Sequence, residues 1–326
     1  MNRAKLRVLS VVPGLPIGWR MIFIRNDIVA IEKLGVIGRS FYLLSRTSVP
    51  TLLKEAYRFR QEIKQFEPDL VHVHYGTVSA FFCVAMTRLP LVVTYQGSDL
   101  LPCTGMNSVR SATGRFLSQL AALRANRIIC VSRELKDRLW WNRARAHILP
   151  SGVDTTEFYP MPKSEARAQL GWTDDENIVV SSAGTDPPRK RLDLAQAAVR
   201  AAESQCGPIR LIVLDGTTEH KELPVLLSAA DCLLMTSDWE GSPNIVKEAI
   251  ACDLPVISVD VGDVKERLRD VDPSPIVPRD PELLGAALAR LLRTRERSNG
   301  HEVIQEISAP KFAERVVSIY DEALRG

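Results

Sequence analysis

The sequence contains no pair of cysteines at the C-x-x-C spacing and no cluster of histidines, although it has six cysteines and five histidines among 326 residues. Structural zinc sites and redox-active dithiols usually require such clusters. We therefore expect neither a zinc centre nor a disulfide framework. Cysteines that form neither disulfides nor metal sites are typical of a reducing, cytosolic compartment.

Long apolar runs are missing as well. No stretch approaches the ~18 to 20 apolar residues that a membrane-spanning helix needs. The apolar part of the first 18 residues is too short for a signal peptide, and we predict a buried first strand there. Repeats and low-complexity segments are also absent. The length instead predicts two domains of roughly 150 residues each.

Acidic residues are scarce in the first half of the chain. Residues 1–150 carry 22 Lys and Arg against 9 Asp and Glu, a net charge of +13, whereas the remainder carries 20 against 30, a net charge of −10. Such asymmetry indicates an anionic partner for the first half, either a nucleic acid or an anionic membrane surface, unless the charges are simply solvated.

Short β-branched segments alternate with helical patterns along the whole chain, which predicts parallel sheets with right-handed crossovers. Pro150, Gly152 and Pro160 interrupt this alternation, so the expected domains are 1–150 and 151–308, with an amphipathic helix at 309–326. The predicted strands are Leu6–Val12, Leu70–His74, Leu91–Tyr95, Ile128–Ser132, Ile178–Ser182, Ile209–Leu214, Cys232–Met235 and Val256–Val259.

Ligands of such sheets bind beyond the carboxyl ends of the strands. After the first strand, Gly14 and Gly18 are not spaced as G-x-G-x-x-G, so they permit either a tight turn or the approach of a ligand. Gln96 and Asp99 follow a strand where an acceptor could bind, although Asp99 could equally cap a turn. His74 has a similar position, with a packed core histidine as the alternative.

Three consecutive cations, Arg189, Lys190 and Arg191, begin a helix in the second half. Cations at a helix N-terminus oppose the helix dipole, so this position is locally unfavourable. It becomes favourable if an anion shares the site with the free N–H groups of the helix. We therefore predict a phosphate site here, with a solvated basic turn as the alternative.

Another helix start is predicted at Ser242, Pro243 and Asn244, where Ser242 suits the N-cap and Pro243 the first helical position. The N–H groups of Asn244, Ile245 and Val246 would then be free for an anion. Glu248 leans back along the helix toward Glu240, so the two carboxylates are expected to converge on one pocket and accept paired hydroxyls. The alternative is one surface and one helix-interior glutamate.

Several motifs in these segments resemble one known family. The segment "EGSPNIVKE" is similar to the E-x7-E signature of retaining GT-B glycosyltransferases of family 4, the group 1 glycosyltransferases. The segments "LPSGVDTTEFYP", "EAIACDLPVISVDVGDVKE" and "VVTYQGSDL" resemble further motifs of that family. The second half of the chain is covered strongly and the first half loosely. Within this family, the motifs of the chain resemble those of transferases that act on bacterial surface polysaccharides.

The resemblance implies a GT-B fold, in which two Rossmann-like domains face each other across a cleft. It implies a donor site in residues 151–308 and an acceptor-binding, membrane-facing domain in residues 1–150, onto which the last helix could pack back. No metal or other cofactor is implied. The resemblance assigns catalysis to Lys190, Arg189 and Glu240, and donor binding to Glu240, Gly241, Ser242, Pro243, Asn244, Ile245, Glu248 and Gly216. The loops after the predicted strands add Gly14 and Gly18 as candidate donor-binding residues, and Gln96, Asp99 and His74 as candidates on the acceptor side.

Some positions depart from the family pattern. Thr185 stands where the family usually has an arginine, and Gln96 stands where it usually has a histidine. A third departure is the single Gly18 where the family has paired glycines. These departures keep a catalytically silent or partner-dependent protein open as an alternative function. A nucleotide-sugar epimerase and a glycoside hydrolase with two carboxylates are the other rivals.

The function that the resemblance implies is a hexosyltransferase-type reaction. A sugar would move with retention from a nucleoside diphosphate sugar to a glycan acceptor, which we expect to be lipid-linked, during cell-surface polysaccharide synthesis. Cations and two tryptophans between Arg110 and Arg145 are typical of attachment to an anionic membrane surface. We therefore expect a cytoplasmic protein, peripheral on the inner face of the cytoplasmic membrane, that binds no nucleic acid.

Overall fold

The computed structural model describes residues 5–15, 21–45, 47–102, 108–184 and 186–326. The chain divides into two compact units. Unit 1 comprises residues 1–152 and 309–326, and unit 2 comprises residues 153–308. The chain therefore leaves unit 1 once, completes unit 2, and returns to unit 1 with its last helix.

Unit 1 is an α/β unit with a parallel sheet in the order β2-β1-β3-β4-β5-β6 within the described residues. Its elements are β1 (Arg7–Pro13), α1 (Ile22–Glu32), β2 (Ile37–Leu43), α2 (Val49–Phe66), β3 (Leu70–Val73), α3 (Thr77–Met86), β4 (Leu91–Tyr95), α4 (Ser108–Arg124), β5 (Arg127–Cys130), α5 (Arg133–Asp137) and β6 (Ala146–Ile148).

Unit 2 has a smaller parallel sheet in the order β10-β9-β7-β8 among its described strands. Its elements are α6 (Lys163–Leu170), β7 (Asn177–Ser182), α7 (Pro187–Lys190), α8 (Leu192–Cys206), β8 (Ile209–Leu214), α9 (Leu223–Ala229), β9 (Cys232–Met235), α10 (Asn244–Ala251), β10 (Val256–Ser258), α11 (Val264–Arg267), α12 (Pro281–Thr294) and α13 (Gly300–Ile304). The predicted fold class of two parallel α/β sheets is confirmed.

Two strands of unit 1 were not predicted from the sequence. Both lie at the edges of the sheet, β2 at one and β6 at the other. The first four residues of β2 are exposed or half-buried, so they lack the apolar run of a central strand. The three-residue β6 is too short to show a periodicity. Edge strands face solvent on one side, and pattern reasoning is weakest there.

The last helix, α14 (Ala309–Arg325), packs on the sheet of unit 1. It buries Phe312, Val316 and Tyr320, which recur every four residues and share an apolar cluster with residues of the central strands. The Tyr320 hydroxyl lies 2.7 Å from His72 Nδ1, and His72 Nε2 lies 2.7 Å from Thr94 Oγ1. The helix is therefore tied to β3 and β4 by buried hydrogen bonds as well as by apolar contacts.

Candidate functional site

The carboxyl ends of the strands in unit 2 bring the predicted donor residues of that unit to one edge of its sheet. Because β9 lies beside β7, the loop after β9 that carries Glu240 is a neighbour of α7, which follows β7 and carries Arg189 and Lys190. The next strand on that side, β8, ends beside the turn at Gly216. A cleft at this position is typical of ligand sites in parallel sheets.

Glu240 pairs with two of the three predicted cations. Its Oε1 atom accepts from Lys190 Nζ at 2.7 Å and from Arg189 Nη1 at 3.0 Å. All three side chains are largely buried, with exposed fractions of 11%, 10% and 16% for Glu240, Lys190 and Arg189. Burial by itself would raise the pKa of Glu240, but the two cations outweigh it and lower the pKa below its ordinary value.

Arg189 is held by contacts that fix its direction. Its guanidinium lies 4.7 Å from the centre of the Trp239 ring and donates to the Trp239 carbonyl at 3.0 Å. Its Nε atom lies 3.3 Å from a carboxylate oxygen of Asp186. Arg191 has other partners than Glu240. Its backbone is left-handed, and its guanidinium pairs with Asp193 and Asp238. Arg189, rather than Arg191, is thus the second cation at Glu240.

Arg279 holds the loop after β9 in place and was missed by the sequence analysis. Its guanidinium donates to the backbone carbonyls of Thr236 at 3.0 Å, of Ser237 at 2.6 Å and of Asp238 at 3.1 Å. These carbonyls lie just before Glu240, so Arg279 fixes the approach of that residue to the cations. The 43-residue separation leaves no local pattern that could reveal this contact.

Glu248 has a different partner, a histidine that sequence reasoning overlooked. His220 lies between two carboxylates, with Nε2 at 3.3 Å from Glu248 and Nδ1 at 3.2 Å from Glu157. Its ring also packs edge-on against Phe158. The hydrogen bond to Glu248 is the largest influence on the pKa of His220 and raises it; Glu157 acts in the same direction, while burial opposes both.

The start of α10 differs from the prediction. Pro243, not Ser242, is the N-cap residue, and it makes no side-chain cap. The hydroxyl of Ser242 instead donates to the buried carboxylate of Asp263 at 2.9 Å, and Arg267 pairs with the same carboxylate oxygen at 3.2 Å. The expectation that three successive N–H groups are free was also wrong, because the Val246 N–H donates to the Pro243 carbonyl.

A close backbone approach shapes the same loop. Gly262 has a φ of +57°, and a Cβ placed there would lie 2.8 Å from the Gly241 carbonyl oxygen and 3.0 Å from that of Glu240. Only glycine fits both the conformation and the space. The segment after β10 thus supports the Glu240–Gly241 turn directly.

The remaining predicted glycines have less specific environments. Gly216 has a φ of +91° in the turn after β8. Gly14 has a φ of +99°, and its N–H donates to the Leu43 carbonyl, with open space where a Cβ would lie. Gly18 and Thr185 lie outside the described residues. The conformation of Gly14 explains its identity without a ligand, so its assignment to donor binding stays a prediction.

The predicted acceptor-side residues lie in unit 1 and differ in accessibility. Asp99 is fully buried and accepts from the N–H groups of Gly76, Gln96 and Gly97. By accepting these hydrogen bonds, its buried carboxylate fixes the backbone of the loop after β4. His74 is 2% exposed and stacks on His72, and burial lowers its pKa to about 3. Of the three candidates, Gln96 is the one that is half-exposed.

Within the described residues, no group of three or more His, Cys, Asp or Glu side chains is placed to hold a metal ion. No helix in that part of the chain is both long and apolar enough to cross a bilayer. The cations that the structure describes beside Glu240 are the side chains of Lys190 and Arg189.

Family models match both units. The model described as Glycosyltransferase Family 4 matches residues 22–157, and the model described as Glycosyl transferases group 1 matches residues 165–294. Together they span most of the chain. The chain belongs to the group 1 glycosyltransferases. This confirms the family that the sequence motifs resemble, and Lys190, Arg189, Glu240 and Glu248 all lie inside the second matched segment.

Relatives of this group 1 glycosyltransferase are distant. TuaC of Bacillus subtilis, a glycosyltransferase named for teichuronic acid biosynthesis, is 25% identical over 68% of this chain and 61% of its own length. A galactosyltransferase of Escherichia coli, named for transfer from UDP-Gal to GlcNAc-diphosphoundecaprenol, is 24% identical over 60% of this chain and 58% of its own. The chain therefore spans about three fifths of these two curated relatives.

Solved structures with a similar fold are consistent with the assignment to this family. The structure of sucrose-phosphate synthase from Thermosynechococcus elongatus superimposes with a TM-score of 0.79 at 18% identity and covers 98% of this chain and 100% of the other. At this level of identity the likeness shows the fold alone. It supports the GT-B architecture of two parallel-sheet α/β domains for this group 1 glycosyltransferase.

Stability should depend on pH through His220. Its raised pKa means that its ion pairs stabilise the fold fully below the ordinary value of 6.5 and are lost as pH rises through the folded-state pKa. We expect His220→Gln to lower the melting temperature more at pH 5.5 than at pH 9. His147→Gln controls for removing a half-exposed histidine of unit 1. An equal loss for His220→Gln at both pH values would contradict the pairing.

Gly262→Ala should displace the turn at Glu240. A matched control is Gly171→Ala, where φ is +69° but no atom lies within 4 Å of the new Cβ. Each alanine must adopt the left-handed conformation, which costs about 1 to 2 kcal/mol. Only the alanine at position 262 also clashes with backbone atoms. We expect Gly262→Ala to lower the melting temperature more than Gly171→Ala does. Equal melting temperatures in the two variants would show that the close approach is unimportant.

Proposed function

We propose that this chain is a retaining glycosyltransferase that moves a sugar from a nucleoside diphosphate sugar to a lipid-linked glycan acceptor. The observation that carries the proposal is the buried ion cluster of Glu240, Lys190 and Arg189 at the sheet edge of unit 2. Two cations in a poorly solvated site are suited to the diphosphate that departs from such a donor.

The reaction requires charge stabilisation rather than a side-chain nucleophile. The bond between the anomeric carbon and the phosphate oxygen breaks, and its electron pair stays on the departing diphosphate. The acceptor hydroxyl attacks the same face of the sugar, and its proton passes to the leaving phosphate oxygen. Lys190 and Arg189 neutralise the developing negative charge. In this proposal no metal ion is needed, because the fixed cations supply the positive charge.

The two glutamates position the donor in this mechanism. Glu240 keeps both cations at the site, and its carboxylate has further acceptor capacity for a sugar hydroxyl. Glu248 is assigned to the ribose hydroxyls, with His220 fixing the orientation of its carboxylate. The backbone from Gly241 to Ile245 would line the sugar and the diphosphate. None of these groups is required to transfer a proton.

The nature of the acceptor is supported by relatives and by the chemistry of unit 1. One relative is named for a diphosphoundecaprenol-linked acceptor and another for teichuronic acid biosynthesis. We therefore propose an acceptor of bacterial surface-polysaccharide synthesis that is carried on a membrane lipid. The protein would work in the cytoplasm, attached to the inner face of the cytoplasmic membrane.

Exposed apolar residues give this attachment a candidate surface. On α4, Val109, Phe116 and Leu123 recur every seven residues and are 72%, 49% and 54% exposed. Trp140, 60% exposed, packs beside Phe116 with ring centres 6.3 Å apart. Trp141 is less available, because its indole N–H donates to the Gln119 carbonyl. Apolar side chains among cations are typical of peripheral binding to an anionic leaflet.

Some of the predicted cations are engaged inside unit 1. Arg127 pairs with Glu322 of α14 at 3.0 Å, and Lys136 donates to the Ala146 carbonyl at 2.7 Å. Arg138 is half-exposed and pairs with Glu134. The electrostatic part of membrane binding is thus assigned to the other exposed cations of this segment, among them Arg145.

Lys190→Ala should abolish most transfer while the protein still folds. Loss of one preorganised charge at a developing anion typically costs about 100- to 1000-fold in turnover. The assay measures sugar transfer from UDP-sugars to a bacterial lipid extract, with Lys221→Ala as control because Lys221 is 77% exposed. Wild-type turnover in Lys190→Ala would refute its role. Sugar release without a lipid acceptor would instead favour a hydrolase.

Membrane attachment should require the exposed aromatic pair. We expect the double variant Phe116→Ser/Trp140→Ser to lose most of its sedimentation with vesicles of phosphatidylcholine and phosphatidylglycerol at low salt. Leu283→Ser is the control, because Leu283 is 50% exposed but belongs to α12 of unit 2. If the wild-type protein fails to sediment with these vesicles, the proposed attachment is wrong.

A further inference from the structure

A cavity lies in unit 1, at the carboxyl edge of its sheet, and none of the predicted site residues that the structure describes is among the residues that line it. Its volume is about 470 Å³. The loops after β3 and β4 form one side and the first turns of α4 form the other. The described residues that line it are Thr47, Tyr75, Thr77, Val78, Ser98, Arg110, Ser111, Thr113, Gly114 and Leu117.

The lining has an unusual chemical balance. Six of these side chains carry a hydroxyl group and one is a guanidinium, whereas none of the described lining residues is an aspartate or a glutamate. Carboxylates are common partners for sugar hydroxyls because they only accept hydrogen bonds. Hydroxyl donors with an arginine and no acid favour an anion, and a guanidinium matches the geometry of a phosphate. Arg115, which donates to Ser111 Oγ at 2.7 Å, adds a second cation nearby.

The floor of the cavity is fixed by buried hydrogen bonds. Thr77 has a φ of +56°, which is strongly disfavoured for a β-branched residue. Its N–H donates to Ser118 Oγ at 2.7 Å, and Ser118 in turn donates to the Asp99 carbonyl at 2.8 Å. The Tyr95 hydroxyl donates to the Ser118 carbonyl at 2.6 Å. Backbone strain that the surroundings maintain in this way is typical of binding sites.

Apolar residues lie just outside the cavity on the helices that border it. Thr47 precedes α2, on which Val49 and Leu53 are 67% and 69% exposed. On α4, Val109 and Phe116 are exposed beside the lining residues Arg110 and Leu117. A ligand that enters the cavity with a charged group therefore leaves its remainder next to exposed hydrocarbon. This arrangement suits an amphiphile, not a small inorganic ion.

We propose that this cavity binds the phosphate group of an amphiphilic phosphate ester, as a subsite for the lipid carrier of the acceptor. The proposal deepens the proposed function and rests on it for the identity of the lipid. Arg110 contacts the phosphate, the hydroxyls of Thr77 and Thr113 donate to its oxygens, and the hydrocarbon lies along the exposed residues of α2 and α4.

The test measures binding of decyl phosphate, below its micelle concentration, to the full-length protein by calorimetry. Saturating UDP is present so that the site of unit 2 is already occupied. Inorganic phosphate and the neutral amphiphile octyl glucoside are separate arms. We expect decyl phosphate to bind the wild-type protein at least about tenfold more tightly than either, because it alone supplies both the charge and the hydrocarbon.

Two variants decide whether the cavity is responsible. Arg110→Gln should weaken decyl phosphate binding by about tenfold or more, since it removes a charge-assisted hydrogen bond. Arg88→Gln is the matched control: Arg88 is also exposed in unit 1 but lies before β4, at the amino edge of the sheet. Thr113→Val should weaken binding by a smaller factor. Unchanged melting temperatures would show that the variants fold.

Several results would overturn the subsite. These are no binding of decyl phosphate, equal affinity in Arg110→Gln and wild type, or an equal loss in Arg88→Gln. Octyl glucoside bound as tightly as decyl phosphate would refute the anion, and inorganic phosphate bound as tightly would refute the amphiphile. Lys190→Ala should retain decyl phosphate binding, so a failure of sugar transfer and a failure of this subsite are distinguishable.

Discussion

The buried carboxylate of Glu240 is the group on which the candidate donor site depends. A charge at this depth is stable only with partners, and Lys190 and Arg189 supply them at hydrogen-bond distance. The same contacts join the loop after β9 to the helix after β7. Removing Glu240 would leave two poorly solvated cations facing each other, so the carboxylate is needed to hold this cluster together.

The surrounding contacts hold that loop and the helix α10 that follows it. Arg279 ties down its carbonyls, and Gly262 allows the neighbouring segment to approach within contact of its backbone. Asp263 and Ser242 connect the same segment to the start of α10. His220 orients Glu248 from the other side, with Glu157 as its second partner. A donor would therefore meet side chains whose positions are set before it binds, which lowers the entropic cost of catalysis.

The sequence predicted the parallel sheets because central buried strands such as β4 and β9 show continuous apolar runs. It also selected both glutamates and the cations at 189–191 as candidate site residues. The expectation that these cations begin a helix was wrong, because Arg189 and Lys190 lie in the last turn of α7 and Arg191 precedes α8. It missed His220, Arg279 and the contact of Asp263 with Ser242, which join residues 21 to 63 positions apart. Contacts at such separations leave no periodic signal. The predicted N-cap at Ser242 was wrong for a related reason, because the Ser242 hydroxyl donates a hydrogen bond to a carboxylate that is distant in sequence.

The amino-acid sequence by itself determined the fold class, the family motifs and the loops that carry charge, because these follow from local patterns of burial, turn residues and spacing. Only the tertiary structure decided which charges meet. It joined Arg189, rather than Arg191, to Glu240, and it placed α14 on the sheet of unit 1. The physical reason is that ion pairs and apolar faces are selected by three-dimensional proximity, and a linear pattern specifies the groups without specifying their partners.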